Sequence, residues 1–278
     1  MGKFLAKTEW FDEVRVFTRA FSGAAVFGIP LAFTMEMWWI GKTLSISTLL
    51  LVLAIGLLAN FGLAYVAGFR TDHSLAMAVD QAVDALAVGI LSAGFLLFTL
   101  NQLRLSDGFE QGVGMVMLLA IPLSLGASVA HEVFRDRDSR IGEDQSELTV
   151  WQGVIADIGA TIIGGIFIGM SIAPTDEVTL IAAGVTQFHL FAIIAASLLF
   201  SYLIVFASGF DEVSPPGPFH HPLTETVLTY VVALAAAFGM LLMFERVTLE
   251  DPANEIIRQT IVFALPVAVG GAGGRLVI

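Results

Sequence analysis

The chain has no cysteine, which removes disulfides, thiolate metal sites and thiol nucleophiles from consideration. Charge is scarce as well. Only 14% of the 278 residues are Asp, Glu, Lys or Arg, and 13 basic against 25 acidic side chains leave a net charge of −12. Phosphate recognition needs a basic footprint, so nucleic acid is not an expected partner and inorganic cations are the natural one. A glycine-rich phosphate loop, an HExxH pair and a nucleophile elbow are all missing. No polar stretch is long enough to hold a substrate pocket, so no enzyme, no catalytic residue and no resident cofactor is expected. The opening segment mixes Lys3 and Lys7 with Glu9, Asp12 and Glu13, and no small-residue cleavage site follows, so it does not read as a cleaved signal.

Apolar residues make up 56% of the chain and mean hydropathy is +0.84, too high for an ordinary domain in water. The 22 Phe and 27 Gly suit lipid-facing bulk and close helix contact. A membrane span needs about 20 apolar residues. Such runs lie at 19–39, 46–69, 78–103, 111–131, 151–173, 186–208, 226–246 and 259–277, predicting an all-α membrane protein of about eight transmembrane helices. Nine of the 13 basic residues (Lys3, Lys7, Arg15, Arg19, Arg70, Arg135, Arg137, Arg140 and Arg275) then fall on the face of the N-terminus, against Lys42, Arg104, Arg246 and Arg258 opposite. The positive-inside bias puts both termini in the cytoplasm of a bacterial inner membrane.

Shifting the sequence on itself by 141 residues aligns 32–69 with 173–210 with ten identities in 38 positions, including Thr34/Thr175 and Glu36/Glu177. The shift also pairs Gly23 with Gly164 and Gly28 with Gly169; a shift of 144 pairs Pro122 with Pro266 and Gly126 with Gly270. The ordered set predicts two tandem four-helix repeats, 19–134 and 150–278, after a cytoplasmic segment 1–18 and joined by the charged linker 135–149. An even number of spans per repeat gives both the same orientation. The small pairs Ala24/Gly28 and Gly165/Gly169 lead to an expected close packing of the first span on the fifth.

Five groups of residues are candidates for chemistry. Thr34-x-Glu36 and Thr175-Asp176-Glu177 recur at the predicted outer ends of the first and fifth spans. Carboxylate and hydroxyl oxygens are what hard cations such as Ca²⁺ take, and glutamate rings select cations at pore mouths, so Glu36 and Glu177 are the expected metal contacts. A homo-oligomer would multiply them. Asp80 and Asp84 share a helical face at the inner start of the third span, and a carboxylate at membrane depth marks a candidate pathway. Arg19 and Asp157 are expected to pair across the repeats, and Glu225 to face water. Pro122 and Pro266 interrupt their spans where a gate would bend. His73, His131, His220 and His221 gather at the inner face near Glu132, Asp211 and Glu212 without a standard metal spacing, and His189 has no repeat counterpart.

The stretch Gly28–Gly41, GIPLAFTMEMWWIG, together with IAPTDEV at Ile172–Val178, resembles a family of bacterial integral membrane proteins of unknown function that share a TMExWW motif and a similar length. The resemblance implies a fold and no activity. Two channel families share smaller pieces. Arg19–Ile29 is similar to the first-helix motif of lysosomal-type potassium channels, with Gly23 where that motif has Asp. Met35-Glu36 resembles part of the calcium uniporter filter, in a different order about Trp38. The expected function is a cation channel or facilitator, Ca²⁺-permeable, with carboxylates along its pathway; a proton-coupled secondary transporter and a non-transporting scaffold or sensor are the alternatives.

Overall fold

The computed structural model describes residues 2–68, 75–104, 106, 108–138, 150–207 and 222–275. Within them the protein is all-helical: α1 (Gly2–Ala32), α2 (Met35–Thr43), α3 (Ile46–Gly68), α4 (Leu75–Thr99), α5 (Phe109–Asp138), α6 (Val150–Gly169), α7 (Glu177–Gly184), α8 (Gln187–Tyr202), α9 (Pro222–Met243) and α10 (Ala253–Arg275). A π-helical turn, Leu203–Ala207, prolongs α8. Seven of the helices are long and apolar enough to cross a membrane, and α6 adds a shorter apolar stretch, Asp157–Gly169.

The span expected at 19–39 is two helices. Pro30 sits in the last turn of α1, and Thr34 takes an extended backbone (φ −92°, ψ 115°) before α2 begins. Thr34 Oγ1 turns back to donate to the Pro30 carbonyl at 3.4 Å, which fits the tendency of Thr to satisfy local backbone where a helix stops. Downstream, α6 stops at Gly169, four residues short of the expected end, because Pro174 lies in the turn that leads to the short α7. The charged stretch 135–149 begins as helix, since α5 continues to Asp138; residues 139–149 lie outside the described residues.

Two enclosed helices organise the bundle. α5 is packed by α1, α2, α3 and α4; α10 is packed by α6, α7, α8 and α9. From Val262 to Ala272 α10 is buried without interruption, Pro266 included, the pattern of a helix surrounded by others. α3 is the opposite case, with Leu50, Leu51, Ile55 and Leu58 exposed as lipid-facing residues are.

The expected packing of the first span on the fifth is not what the small residues do. The principal partner of α1 is α5, and that of α6 is α10. A Cβ on Gly126 would lie 2.6 Å from the Gly23 carbonyl, and one on Gly270 would lie 2.5 Å from the Gly164 carbonyl. Both contacts are thus backbone on backbone, which only glycine permits. The turns after α4 and α9 also match. Gln102 N–H donates to Leu97 and Arg246 N–H to Leu241, each at 2.8 Å, around the left-handed residues Asn101 (φ 56°) and Glu245 (φ 55°). This is the glycine-type helix stop built twice without glycine. The two groups of helices meet through Phe21 stacked on Phe200 at 5.2 Å and Phe95 edge-on to Phe200 at 5.9 Å, and through the Asn101 amide donating to the Gly184 carbonyl at 2.7 Å.

Candidate functional site

The register set by these contacts decides which residues occupy equivalent places. On α4 and α9 the matched stops Asn101 and Glu245 lie 144 residues apart, so Gln81, rather than Asp80 or Asp84, stands where Glu225 does. On α1 and α6 the glycines lie 141 apart, so Val16 stands where Asp157 does.

In the C-terminal group this level is closed by an ion cluster. Arg275, at the end of α10, donates from Nε to Asp157 Oδ1 on α6 at 3.2 Å and from Nη2 to Glu225 Oε1 on α9. The Arg275 and Glu225 side chains are 7% and 8% exposed. Asp157 therefore pairs with Arg275 in place of the expected Arg19, which is itself buried in α1. Glu225, expected to face water, is enclosed. Burying charge requires this arrangement, because an ion taken out of water costs several kcal/mol unless its partner comes with it.

In the N-terminal group the same level is hollow. A cavity of about 620 Å³ opens between α1, α3, α4 and α5. Its walls are apolar, with Val16, Phe17 and Ala20 from α1 and Ala85, Val88 and Leu91 from α4. Polar groups reach it from Glu13, Gln81, Asp84 and Ser128. Asp84 thus lines the cavity within a candidate membrane span; it is exposed there, as is Asp80 one turn earlier outside the lining. A satisfied polar knot stands behind this region: Asn60 Nδ2 donates to Ser124 Oγ at 2.8 Å, and Ser128 Oγ donates to Asn60 Oδ1 at 2.7 Å.

The outer candidates take simpler positions. Glu36 is exposed in the first turn of α2, and Glu177 is half-buried as the first residue of α7, where carboxylates favour the helix dipole. Thr175 Oγ1 donates to the Ile172 carbonyl at 2.6 Å, and Asp176 pairs with Arg246, which also donates to the Pro174 carbonyl. Among the described residues no three His, Asp or Glu side chains converge as a metal site. The two tryptophans separate: Trp39 is 63% exposed, whereas Trp38 is 3% exposed and donates its indole N–H to the Ala32 carbonyl at 2.9 Å. His189 bonds Thr186 Oγ1 through Nδ1 at 2.7 Å. His73, Asp211, Glu212, His220 and His221 lie outside the described residues, as do the side chains of His131 and Glu132. Pro122 and Pro266 sit inside helices that run on past them.

Residues 16–278 match the family described as "Putative integral membrane protein (DUF2391)". The chain belongs to that family. No curated protein and no solved structure matches it. Membership establishes a multi-pass membrane protein, to which the seven apolar helices correspond.

Sequence reasoning missed three features of this DUF2391 protein. The partner of Asp157 and Glu225 was hidden because Arg275 looks like one more terminal positive-inside charge. Glu13 was assigned to the N-terminal segment, yet α1 runs unbroken from Gly2 and brings it to the cavity beside Gln81 and Asp84. The polar knot joins Asn60 to Ser124 and Ser128 across more than 60 positions, a distance no periodicity reveals.

Proposed function

We propose that the protein is a cation-translocating facilitator of the bacterial inner membrane, with Asp84 and Glu13 at an inner station and Glu36 and Glu177 as outer carboxylates. One observation carries this reading: Asp84 lies within a membrane span and faces a cavity together with Glu13. A carboxylate at such depth marks an ion pathway by default. The net charge of −12 raises local cation concentration at either mouth. The Ca²⁺ preference has less behind it, because no cluster of three carboxylate or imidazole ligands is found among the described residues, and Ca²⁺ takes six to eight oxygens.

The same reading includes two tandem repeats, α1–α5 and α6–α10, inserted in one orientation with both termini cytoplasmic. The matched glycine contacts and the matched turns support it. A proton-coupled carrier remains the competing mechanism, with Asp84 as the titrating group.

Flux into liposomes separates these readings. Purified protein should carry K⁺ or Ca²⁺ down an imposed potential, and Asp84→Asn should reduce the rate at least tenfold. Glu36→Gln/Glu177→Gln should change the preference between ions. Flux that follows a pH gradient and vanishes on its collapse would move the assignment to the carrier; no flux at any potential or pH would leave a scaffold or sensor.

A further inference from the structure

We propose that the cavity between α1, α3, α4 and α5 binds an organic cation, an ammonium or guanidinium group on an apolar body. The inference rests on the reading of the cavity as a cation station and names the class of cation.

The protein already shows such a cation bound at the equivalent level. In the C-terminal group the guanidinium of Arg275 pairs with both Asp157 and Glu225, and its side chain is 7% exposed. Its counterpart level in the N-terminal group has Val16 and Gln81 in place of those two acids, with Glu13 and Asp84 supplying carboxylates nearby. There the carboxylates line open volume. Arginine is itself a planar cation on an apolar stem. A ligand with the same two parts satisfies the same two requirements.

Size and lining suit an organic cation better than a tightly held hard divalent ion. The cavity of about 620 Å³ is of the size that small organic molecules occupy, roughly 300–1,000 Å³. Hard divalent ions need a shell of oxygens at short range, whereas most of this lining is aliphatic or aromatic carbon. Phe17, at the wall, offers an aromatic face of the kind that attracts ammonium groups. An apolar body desolvates the walls, and the charged end stays with the exposed carboxylates of Asp84 and Glu13.

The test is equilibrium binding to the full-length protein in phosphatidylcholine/phosphatidylglycerol nanodiscs, read by calorimetry. Benzylammonium is the probe; benzyl alcohol, methylammonium and Ca²⁺ are the comparisons. Benzylammonium should bind at least tenfold more tightly than either half of itself and than Ca²⁺, and Asp84→Asn should weaken it at least tenfold. Gln81→Lys places a tethered ammonium in the cavity and should abolish binding while leaving the melting temperature at or above that of the wild type. Equal binding of benzyl alcohol, or unchanged binding in a folded Gln81→Lys protein, would overturn the proposal. Replacing phosphatidylcholine, whose headgroup is itself an ammonium, by a neutral galactolipid that has none identifies the source: tighter benzylammonium binding points to a competing lipid headgroup ammonium, unchanged binding to a soluble ligand, and both support the site. Failure here is distinguishable from failure of translocation. Binding without flux keeps the ligand class and removes transport; K⁺ flux in protein that does not bind benzylammonium keeps transport and removes the ligand class.

Discussion

The N-terminal and C-terminal groups of helices close on themselves in the same way and differ in what they enclose. Each puts its first helix against its last through a glycine backbone contact, Gly23 on Gly126 and Gly164 on Gly270. Each ends its penultimate long helix on a left-handed residue. At the level of Asp157 and Glu225, however, the C-terminal group holds its own cation, Arg275, and the N-terminal group holds a cavity. The packing is alike where backbone touches backbone, and the chemistry differs where side chains meet. A charge that supplies its own partner is structure; a charge lining open volume is available to a ligand.

The comparison breaks most sharply at Arg275. Arg275→Ala leaves the buried Glu225 without its partner and should destabilise the protein by about 3–5 kcal/mol, the usual loss when one member of a buried pair is removed, while Asp157, 35% exposed, can turn to solvent; the loss is seen as a large fall in melting temperature in detergent. Asp84→Asn, in the open group, should leave that temperature nearly unchanged, and an equal fall would erase the distinction between the groups.

Next come the glycine contacts. Gly126→Ala and Gly270→Ala each force a Cβ against a carbonyl and should cost about 1–3 kcal/mol as overpacking does. Gly62→Ala, with nothing within 4 Å of its Cβ, should be neutral or stabilising. Similar losses at Gly126 and Gly270 sharpen the equivalence; a loss at only one breaks it.

The smaller effects are at the turns after α4 and α9. Arg246→Ala removes a bond to an exposed Asp176 and should cost about 1 kcal/mol or less, as surface pairs do. Glu245→Gly relieves a left-handed glutamate and should raise stability by no more than about 1 kcal/mol. Asn101→Gly should lower it, because the Asn101 amide bonds Gly184; urea titration followed by Trp fluorescence checks both.

Much of the membrane architecture was legible because long apolar runs are their own signal. α3, α4, α5, α9 and α10 begin or end within a few residues of the runs that announced them. The break at Thr34 was not legible, since 19–39 is long enough and apolar enough for one span and hydropathy does not register one extended residue. The small-residue pairs were visible, but a sequence shows which residues are small and not which helix they face; Gly23 and Gly126 were both found as repeat counterparts of Gly164 and Gly270, and not as partners of each other. Asp84 stood out as a carboxylate in a span. The cavity beside it did not, because it is made by the small side chains of Ala20, Ala64, Ala85 and Ala127, and alanine in a membrane helix is unremarkable by composition.

The absence of native cysteine permits a direct measurement of the difference between the groups. Ala85 lines the cavity, and Thr229 is its equivalent beside the Arg275 cluster. Ala85→Cys and Thr229→Cys, each the only thiol in its protein, are exposed in turn to a trimethylammonium and a sulfonate methanethiosulfonate reagent of similar size. The account predicts that Ala85→Cys reacts at least tenfold faster with the cationic reagent than with the anionic one, and that Thr229→Cys reacts with neither. Equal rates at both positions, or an anionic reagent as fast as the cationic at Ala85→Cys, would contradict it.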